Sequence, residues 1–529
     1  MSALPKVPRL TACLAALLLA ACGSSDNSRL ELVVIGEPSD PFEGGMRLSL
    51  AGQLARASII EGLVAFDEQG RVIPALADRW IVTDDGQSYI FRLRDGDWRN
   101  GEPITAPSAK EALDRALRNL RGTSLGLDLA GIDEVRAMAG RVIEIRLRRP
   151  MPHLLQLLAQ PELGLLHDGM GAGPMVLDRE IDSAVFTPIE PSRLGLPAIK
   201  DWDERTRQLS MSALPGAAAI DRFNQGEADL VLGGQIQDFP RTSSVGILRG
   251  TIKLDPVTGL FGLQVMNDTG FLGDSANREA LAMAIDRDAL IAPFGVGGWV
   301  PSTRVVSPGL EGDIGTIGER WPEQSLEERR KVAAARVARW HAQHGKPALA
   351  AGKRPGARPA AKPAAGAPSA RNARQGQSPA RPAEALRLSV WLPAGPGSDM
   401  LFTRIAQDLA AIGVTAVRAP EDETGDLRLI DDVARYPRAA WYLNRLSCAV
   451  KRGLCAADAD ALVTQAGDTT DPAERAALLT EAEAELTSAN VYIPFGAPIR
   501  WSLVRGNVSG FATNAWAWHP LMPLAWLPK

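Results

Sequence analysis

One stretch of this chain has no means of folding. Residues 345–383 hold 39 positions, of which 13 are Ala, 7 Pro and 8 Lys or Arg, with no acidic residue and almost no large apolar one. Such a segment cannot repay its ordering entropy by burying surface. It predicts a disordered basic loop inserted in a folded domain, so the fold must be assembled from the residues on either side. The same tract offers an electrostatic arm toward anionic lipid or cell-wall polymer. Because it carries +8, the near-neutral net charge of −4 leaves the rest of the chain at −12. That balance argues against a whole-chain nucleic-acid binder or a polyanion. The remaining mix, 45% hydrophobic and 23% charged over 529 residues, suits a large multidomain globular protein.

The first residues read as an address. Lys6 and Arg9 precede a short apolar run at 10–21, too short to span a bilayer and right for a signal-peptide h-region. The run ends in Leu19-Ala20-Ala21-Cys22 and is followed by Gly23-Ser-Ser-Asp26. This resembles a bacterial lipobox, in which cleavage precedes the cysteine and its thiol receives a diacylglycerol. The expectation is a signal peptide at 1–21, lipidation at Cys22, a tether over 22–29 and a membrane anchor without a membrane span. A plain secretory signal with a chance cysteine is the rival reading.

Export sorts the four cysteines. Cys13 leaves with the signal and Cys22 takes the lipid. Cys448 and Cys455 remain, and in an oxidising compartment such a pair reads as a small-loop disulfide. A redox or metal pair would want CxxC spacing or nearby histidines, and neither is present.

Between these features the pattern is mixed α/β. Residues 30–35 read as a strand and 48–60 as a helix. Short strands with Gly turns fill 61–106, helices are expected over 108–120, 277–291 and 326–340, and Ser325 and Glu328 form a capping box. Beyond the insertion, strand 386–391, helix 399–412 and strand 414–417 form a βαβ unit, which implies a parallel sheet. Asp471, Pro472 and Glu474 open a long helix to about Ala489 as N-cap, N1 and N3. The closing aromatic run with Trp516, Trp518 and Trp526 reads as core. No P-loop, GxGxxG or HExxH occurs, and only five histidines are present, of which the one close pair, His341 and His344, sits at a helix end. The expectation is a protein that is not an enzyme, with no catalytic residues, cofactor or metal site.

Several segments together resemble the family 5 extracellular solute-binding proteins of ABC transporters, the dipeptide, oligopeptide and nickel type. They are Glu61-Gly-Leu-Val-Ala-Phe-Asp67, Pro74-Ala-Leu-Ala-Asp-Arg-Trp80, Asp84-Asp-Gly-Gln-Ser-Tyr89, Phe91-Arg-Leu-Arg-Asp-Gly96 and Asn100-Gly-Glu-Pro-Ile-Thr-Ala106. Gly171-Ala-Gly-Pro174, Asn224-Gln-Gly-Glu-Ala-Asp229, the helix from Arg278 to Arg287 and the helix after Asp471 follow in order. The resemblance implies an α/β, two-lobed periplasmic-binding-protein fold of the large three-region type, with mixed sheets and a ligand cleft between the lobes. Lobe I would comprise 30–60, 172–254 and 496–529, with 61–171 as its accessory region. Lobe II would be 255–495, interrupted by 345–383. The chain would cross between lobes near 254–258 and 493–498.

The implied function is capture of a peptide-like or other small polar solute by lobe closure and delivery to an ABC permease and its ATPases. The protein would act as a monomer, lipid-anchored in the periplasm or at the cell surface. A metal-chelate receptor, or an envelope lipoprotein with a sensing or structural role, are the alternatives. In peptide-binding members a Trp-x-Ala-Asp-Tyr segment faces the cleft, and its Asp pairs with the peptide amine. Laid on Asp432-Val-Ala-Arg-Tyr436, the Trp position is Asp432 and the Asp position is Arg435. Three arrangements follow. Arg435 selects an anion; or Asp431 or Asp432 reaches a cationic group from a shifted position; or Arg435 pairs with one of those acids and leaves no net charge. Gly233, Gly234 and Gln235 would approach ligand with bare backbone. Leu260 and Phe261 would lie on a crossing strand, and Trp391 ends a βαβ strand, a usual place for a contact. Tyr436 completes the candidate set. Thiol titration of the denatured mature protein is expected to find Cys448 and Cys455 unreactive; two free thiols there would remove the disulfide.

Overall fold

The computed structural model describes residues 29–245, 251–344 and 386–527. The expected signal peptide, the lipidation site Cys22 and the basic insertion lie outside these residues. Strand Arg29–Ile35 pairs in parallel with Gln208–Leu214 on one side and Leu230–Gly234 on the other, at the heart of a seven-stranded sheet. Leu30, Leu32, Val33 and Val34 are all buried, which is why this strand is apolar on both faces. Antiparallel strands Ala184–Pro188 and Met175–Arg179 extend one edge; Trp501–Val504 and Ile252–Leu254 extend the other.

A second, five-stranded sheet centres on Gly259–Val265, flanked antiparallel by Leu427–Val433 and Tyr492–Gly496. Leu386–Trp391 joins it, parallel to both Val414–Arg418 and Leu427–Val433. The third unit is a four-stranded antiparallel sheet of Ala77–Val82, Ser88–Leu93, Val142–Leu147 and Ile132–Ala137. On its strand Ser88–Leu93, Tyr89, Phe91 and Leu93 point to the core by simple alternation. The chain passes from the first sheet to the second between Leu254 and Gly259 and returns between Gly496 and Trp501.

Local rules account for most element ends. Asp471 caps helix Pro472–Ala489 by accepting from Ala473 N at 2.9 Å, and Ser325 and Glu328 exchange their capping bonds ahead of Leu326–His344. Two expectations are corrected. The single helix expected over 277–291 is two, Ser275–Ala284 and Arg287–Ile291. Asp286 breaks it: its side chain accepts from Ala289 N at 3.1 Å while its own N–H donates to Asp408 Oδ2 at 3.0 Å. The helix expected from 399 begins earlier, at Pro396, whose fixed φ suits a first turn.

The buried apolar residues form two clusters, and each draws on both large sheets. Val33 and Val231 of the first sheet share a cluster with Phe261 and Leu388 of the second. The lobes are therefore packed against each other. Within the second lobe, Arg304 anchors the irregular segment that follows residue 300. Its guanidinium holds Glu483 at 2.9 and 3.3 Å and Asp313 at 3.2 Å, and all three side chains are almost wholly buried. Val306 N donates to Glu483, and Gly309 and Gly315 N donate to Asp313. Removing the guanidinium would strand two buried carboxylates, so Arg304→Met is expected to cost roughly 3–5 kcal/mol of unfolding free energy in urea titration. A loss under about 1 kcal/mol would show that the acids find other partners.

Candidate functional site

A cavity of about 420 Å³ lies between the two large sheets. One wall comes from the first sheet and its helix Leu50–Ile59, through Ser49, Gln53, Gly233, Gly234 and Gln235. The opposite wall is the end of strand Leu427–Val433 and the turn after it, through Asp431, Asp432 and Arg435. Trp501, Trp516, Trp518 and His519 close it. Six of the sequence-derived candidates thus meet in one place. Phe261, Trp391 and Tyr436 do not line this cavity.

The reasons are specific. Phe261 lies opposite Asp431 in the sheet, but its ring is committed to the core, where it is 1% exposed and packs edge-on against Phe495 at 5.7 Å. Leu260 is equally buried. Trp391 lies under the Arg428 guanidinium, 3.7 Å from its ring centre, and donates to Glu421 O at 3.3 Å. Tyr436 points toward the accessory region, where its hydroxyl donates to Asp128 Oδ1 at 2.8 Å. Gly234 is a glycine for a packing reason: a Cβ there would come within 2.1 Å of the Trp501 ring, which lies over this backbone with its indole N–H on Gln235 O at 2.8 Å. Trp516 and Trp518, expected as core, pack into the first lobe and also form cavity wall.

Both acids at the end of strand Leu427–Val433 are met by guanidiniums. Asp431 Oδ1 accepts from Arg500 Nη1 at 2.6 Å, and the same guanidinium donates to the Asp431 carbonyl at 2.7 Å. Asp432 Oδ2 accepts from both Arg445 and Arg452 at 2.6 Å. Arg435 pairs with neither. Its Nη1 reaches across the seam to Glu162, 2.8 and 2.9 Å from the two oxygens, and to Gln160 Oε1 at 3.2 Å. The internal pairing with Asp431 or Asp432 weighed above is thereby replaced by an ion pair to the accessory region. Asp255 contacts His519 Nε2 at 3.2 Å.

Burial shapes the ionisation of these groups. It pushes the Asp431 carboxyl up, and the Arg500 charge only partly offsets this. Burial works the same way on Asp432, but Arg445 and Arg452 together overcome it and hold that carboxyl far below the usual range. Glu162 is likewise opposed by burial and held down by Arg435. One atom stands out: Asp431 Oδ2 is buried and accepts no hydrogen bond.

Arg445, Arg452, Arg500 and Glu162 were not foreseen. Arg452 had the one usable signal, since it lies between Cys448 and Cys455. Those cysteines are disulfide-bonded, with Cα atoms 5.2 Å apart, and the closed loop presents Arg452 to Asp432. Among the described residues, one group has metal-ligand geometry: Glu102, His167 and Asp168, on an exposed turn of the accessory region and away from the cavity. His167 Nε2 is there already engaged by Glu102 at 2.8 Å.

Asp128 sits where the accessory region meets the second lobe. Its Oδ1 accepts from Tyr436 and from Asn444 Nδ2 at 2.6 Å, with Arg445 and Arg435 nearby. Burial nevertheless raises its pKa to about 7. The unfolded carboxyl loses its proton near 4 and the folded one near 7, so the folded state holds the extra proton between these values. Stability from this group therefore falls as pH rises from about 4 to 7 and is level above. Asp128→Asn keeps the Oδ1 acceptor and removes the titration. Its unfolding free energy relative to wild type is expected to climb across that window in urea titrations, and a difference independent of pH would contradict it.

Comparison with known proteins fits this geometry. The family model described as "Bacterial extracellular solute-binding proteins, family 5 Middle" matches residues 71–342, just over half of the chain. The chain is 27% identical over 315 residues to the "Probable deoxycholate-binding periplasmic protein YgiS" of Escherichia coli (strain K12), which covers 52% of this chain and 56% of YgiS. It spans about half the length of the curated relatives it matches. The Escherichia coli murein tripeptide binding protein MppA superposes with a TM-score of 0.74 at 18% identity, over 96% of this chain and 99% of MppA. Haemophilus influenzae OppA, solved in complex with RPPGFSPFR, gives 0.73 at 17% identity, over 94% and 99%. These structural likenesses carry the two-lobed fold. With the family signature running through the accessory region, the first lobe and into the second, the chain belongs to family 5 of the bacterial extracellular solute-binding proteins.

Proposed function

We propose that this chain is the solute-binding component of an ABC importer, which captures a peptide-like or other small polar solute between its lobes and hands it to a membrane permease. The observation that carries the reading is the orphaned Asp431 Oδ2 in a cavity walled by both lobes. A buried acceptor without a donor costs free energy, and a solute N–H or O–H placed there relieves that cost only when both lobes surround it. Ligand would therefore favour the closed arrangement through contacts to both sides.

The cleft charges are consistent with a solute of low net charge. Arg435, neutralised by Glu162, neither repels a free amine nor seeks a carboxylate, and Asp432 is occupied by two arginines. Asp431 is then the acid that meets the ligand, with Gly233, Gly234 and Gln235 opposite. Trp501, Trp516 and Trp518 supply the apolar surface. A volume of about 420 Å³ suits a compact solute. Phe261, Trp391 and Tyr436 act from behind as supports. Cys22 would carry the lipid that holds a monomeric receptor at the membrane, in the periplasm or at the cell surface; no helix among the described residues is long and apolar enough to cross one.

Mass spectrometry of small molecules released from the purified protein, followed by calorimetry, tests the reading. A polar solute with an N–H or O–H donor is expected. Asp431→Asn should weaken its binding by about 1.5–3 kcal/mol, roughly ten- to a hundredfold. If no solute binds and scattering shows no change between open and closed forms, the receptor reading fails. Intact-mass analysis of membrane-extracted protein should show Cys22 as the first residue with a diacylglycerol. Cys22→Ser should release the protein from the membrane fraction, and retention of that variant would refute the anchor.

A further inference from the structure

A second chamber, of about 220 Å³, lies on the other side of the seam from the solute cavity, between the accessory region and the second lobe. Its accessory wall includes Asp128, Arg149 and His153, and its second-lobe wall includes Arg438, Asp468 and Arg475. The two cavities share no lining residue.

Guanidiniums crowd this chamber with few counter-charges. Arg438 pairs with Glu311 at 2.7 Å, and Glu311 also holds His153 Nε2 at 2.8 Å. Arg149 and Arg475 form no ion pair within 4 Å among the described residues; they donate only to main-chain carbonyls, Gly467 O at 2.7 Å and Thr469 O at 3.0 Å. Arg438 and Arg475 are 9% and 8% exposed, and the Nε–H of each is buried without an acceptor. Of the two carboxyls that face the chamber, Asp128 has its Oδ1 taken by Tyr436 and Asn444, and Asp468 pairs with no cation among the described residues. Burial lowers the pKa of both Arg149 and Arg475, and neighbouring guanidiniums lower it further, Arg475 and Arg438 acting on Arg149 and Arg438 on Arg475; Asp468 near Arg149, and Glu311 and Asp471 near Arg475, offset this only in part. Arginine does not shed its proton in water, so the available relief is an anion.

We infer that this chamber binds a small oxyanion, a carboxylate or a phosphate, through Arg149, Arg438 and Arg475, and that the bound anion ties the accessory region to the second lobe. The planar forks and the buried Nε–H groups suit oxygens of such a group better than a spherical halide. Because the ligating residues come from both sides of the seam, anion and solute would each stabilise the same closed arrangement and strengthen one another's binding. The anion site itself does not depend on the cleft being a solute site.

The test is calorimetric titration of inorganic phosphate, and separately of succinate, into solute-free full-length protein, at fixed pH and with ionic strength held constant by chloride. Saturable binding of one anion per chain is expected, with a parallel, saturating rise in melting temperature. Stronger binding of phosphate assigns the site to phosphate-type ligands, and stronger binding of succinate to carboxylates. Arg149→Gln and Arg475→Gln, made singly, should each weaken binding about tenfold or more. Arg475→Lys, which keeps the charge and loses the fork, should fall between. No saturable heat with either anion in the wild-type protein overturns the proposal, whatever the variants do. So does equal affinity in wild type and the folded variants, which would place the anion elsewhere. Failure of solute binding in the cleft leaves these readings untouched, since no solute is present.

Discussion

A carboxylate cannot leave water without a partner, and the seam between the lobes of this protein holds several. Asp431 is met by Arg500, Asp432 by Arg445 and Arg452, and Glu162 by Arg435. These pairs decide how the lobes meet, because the cost of burying either member alone is several kcal/mol. Glu162 and Arg435 lie on opposite sides of the seam, so their pairing ends when the lobes part, and water must then hydrate both. Asp432 has Arg445 and Arg452 within its own lobe and keeps them through such a motion, whereas Arg500, the partner of Asp431, lies on the return crossing beside the first sheet. The distinction separates charges that latch the lobes from charges that build the wall.

The wall is more constrained than a row of polar residues. Gly234 admits the Trp501 ring over its backbone, and the Trp501 indole fixes the Gln235 carbonyl. The disulfide between Cys448 and Cys455 closes the loop that presents Arg452 to Asp432. Rigid supports of this kind leave Asp431 Oδ2 as the unsatisfied carboxylate acceptor among the described cavity-lining side chains, with Arg445 Nε as an unsatisfied donor. In the proposed role, that single acceptor gives the ligand an orientation, and the surrounding tryptophans give it contact area. The arginine-lined chamber across the seam follows the same logic with the sign reversed, since there donors lack acceptors.

Much of the architecture was legible along the chain. The strand expected at 30–35 and the short strands expected within 61–106 are present, and Asp471 with Pro472 marked a helix start to the residue. Where the reading failed, a local rule met a competing local rule or a distant partner. Asp286 looked like one more polar position on a helix, but its cap bond and the pull of Asp408 split that helix in two. Phe261 lay on the right strand, but its ring is taken up by packing against Phe495 rather than by the cavity.

The sequence by itself determined the fold class, the order of elements, the cysteine pair and the segment that carries the cleft acids. The mixed α/β class, the order of elements and the cysteine pair rest on near neighbours or on periodicity, which a linear reading contains. The segment with the cleft acids came from the family resemblance. Tertiary structure alone decided the charge of the cleft. Arg435 in isolation predicts an anion site, and Glu162, 273 residues away, cancels it. Arg500 does the same for Asp431 across 69 residues. Electrostatic character depends on which charges become neighbours once water is removed, and that is a property of the assembled lobes.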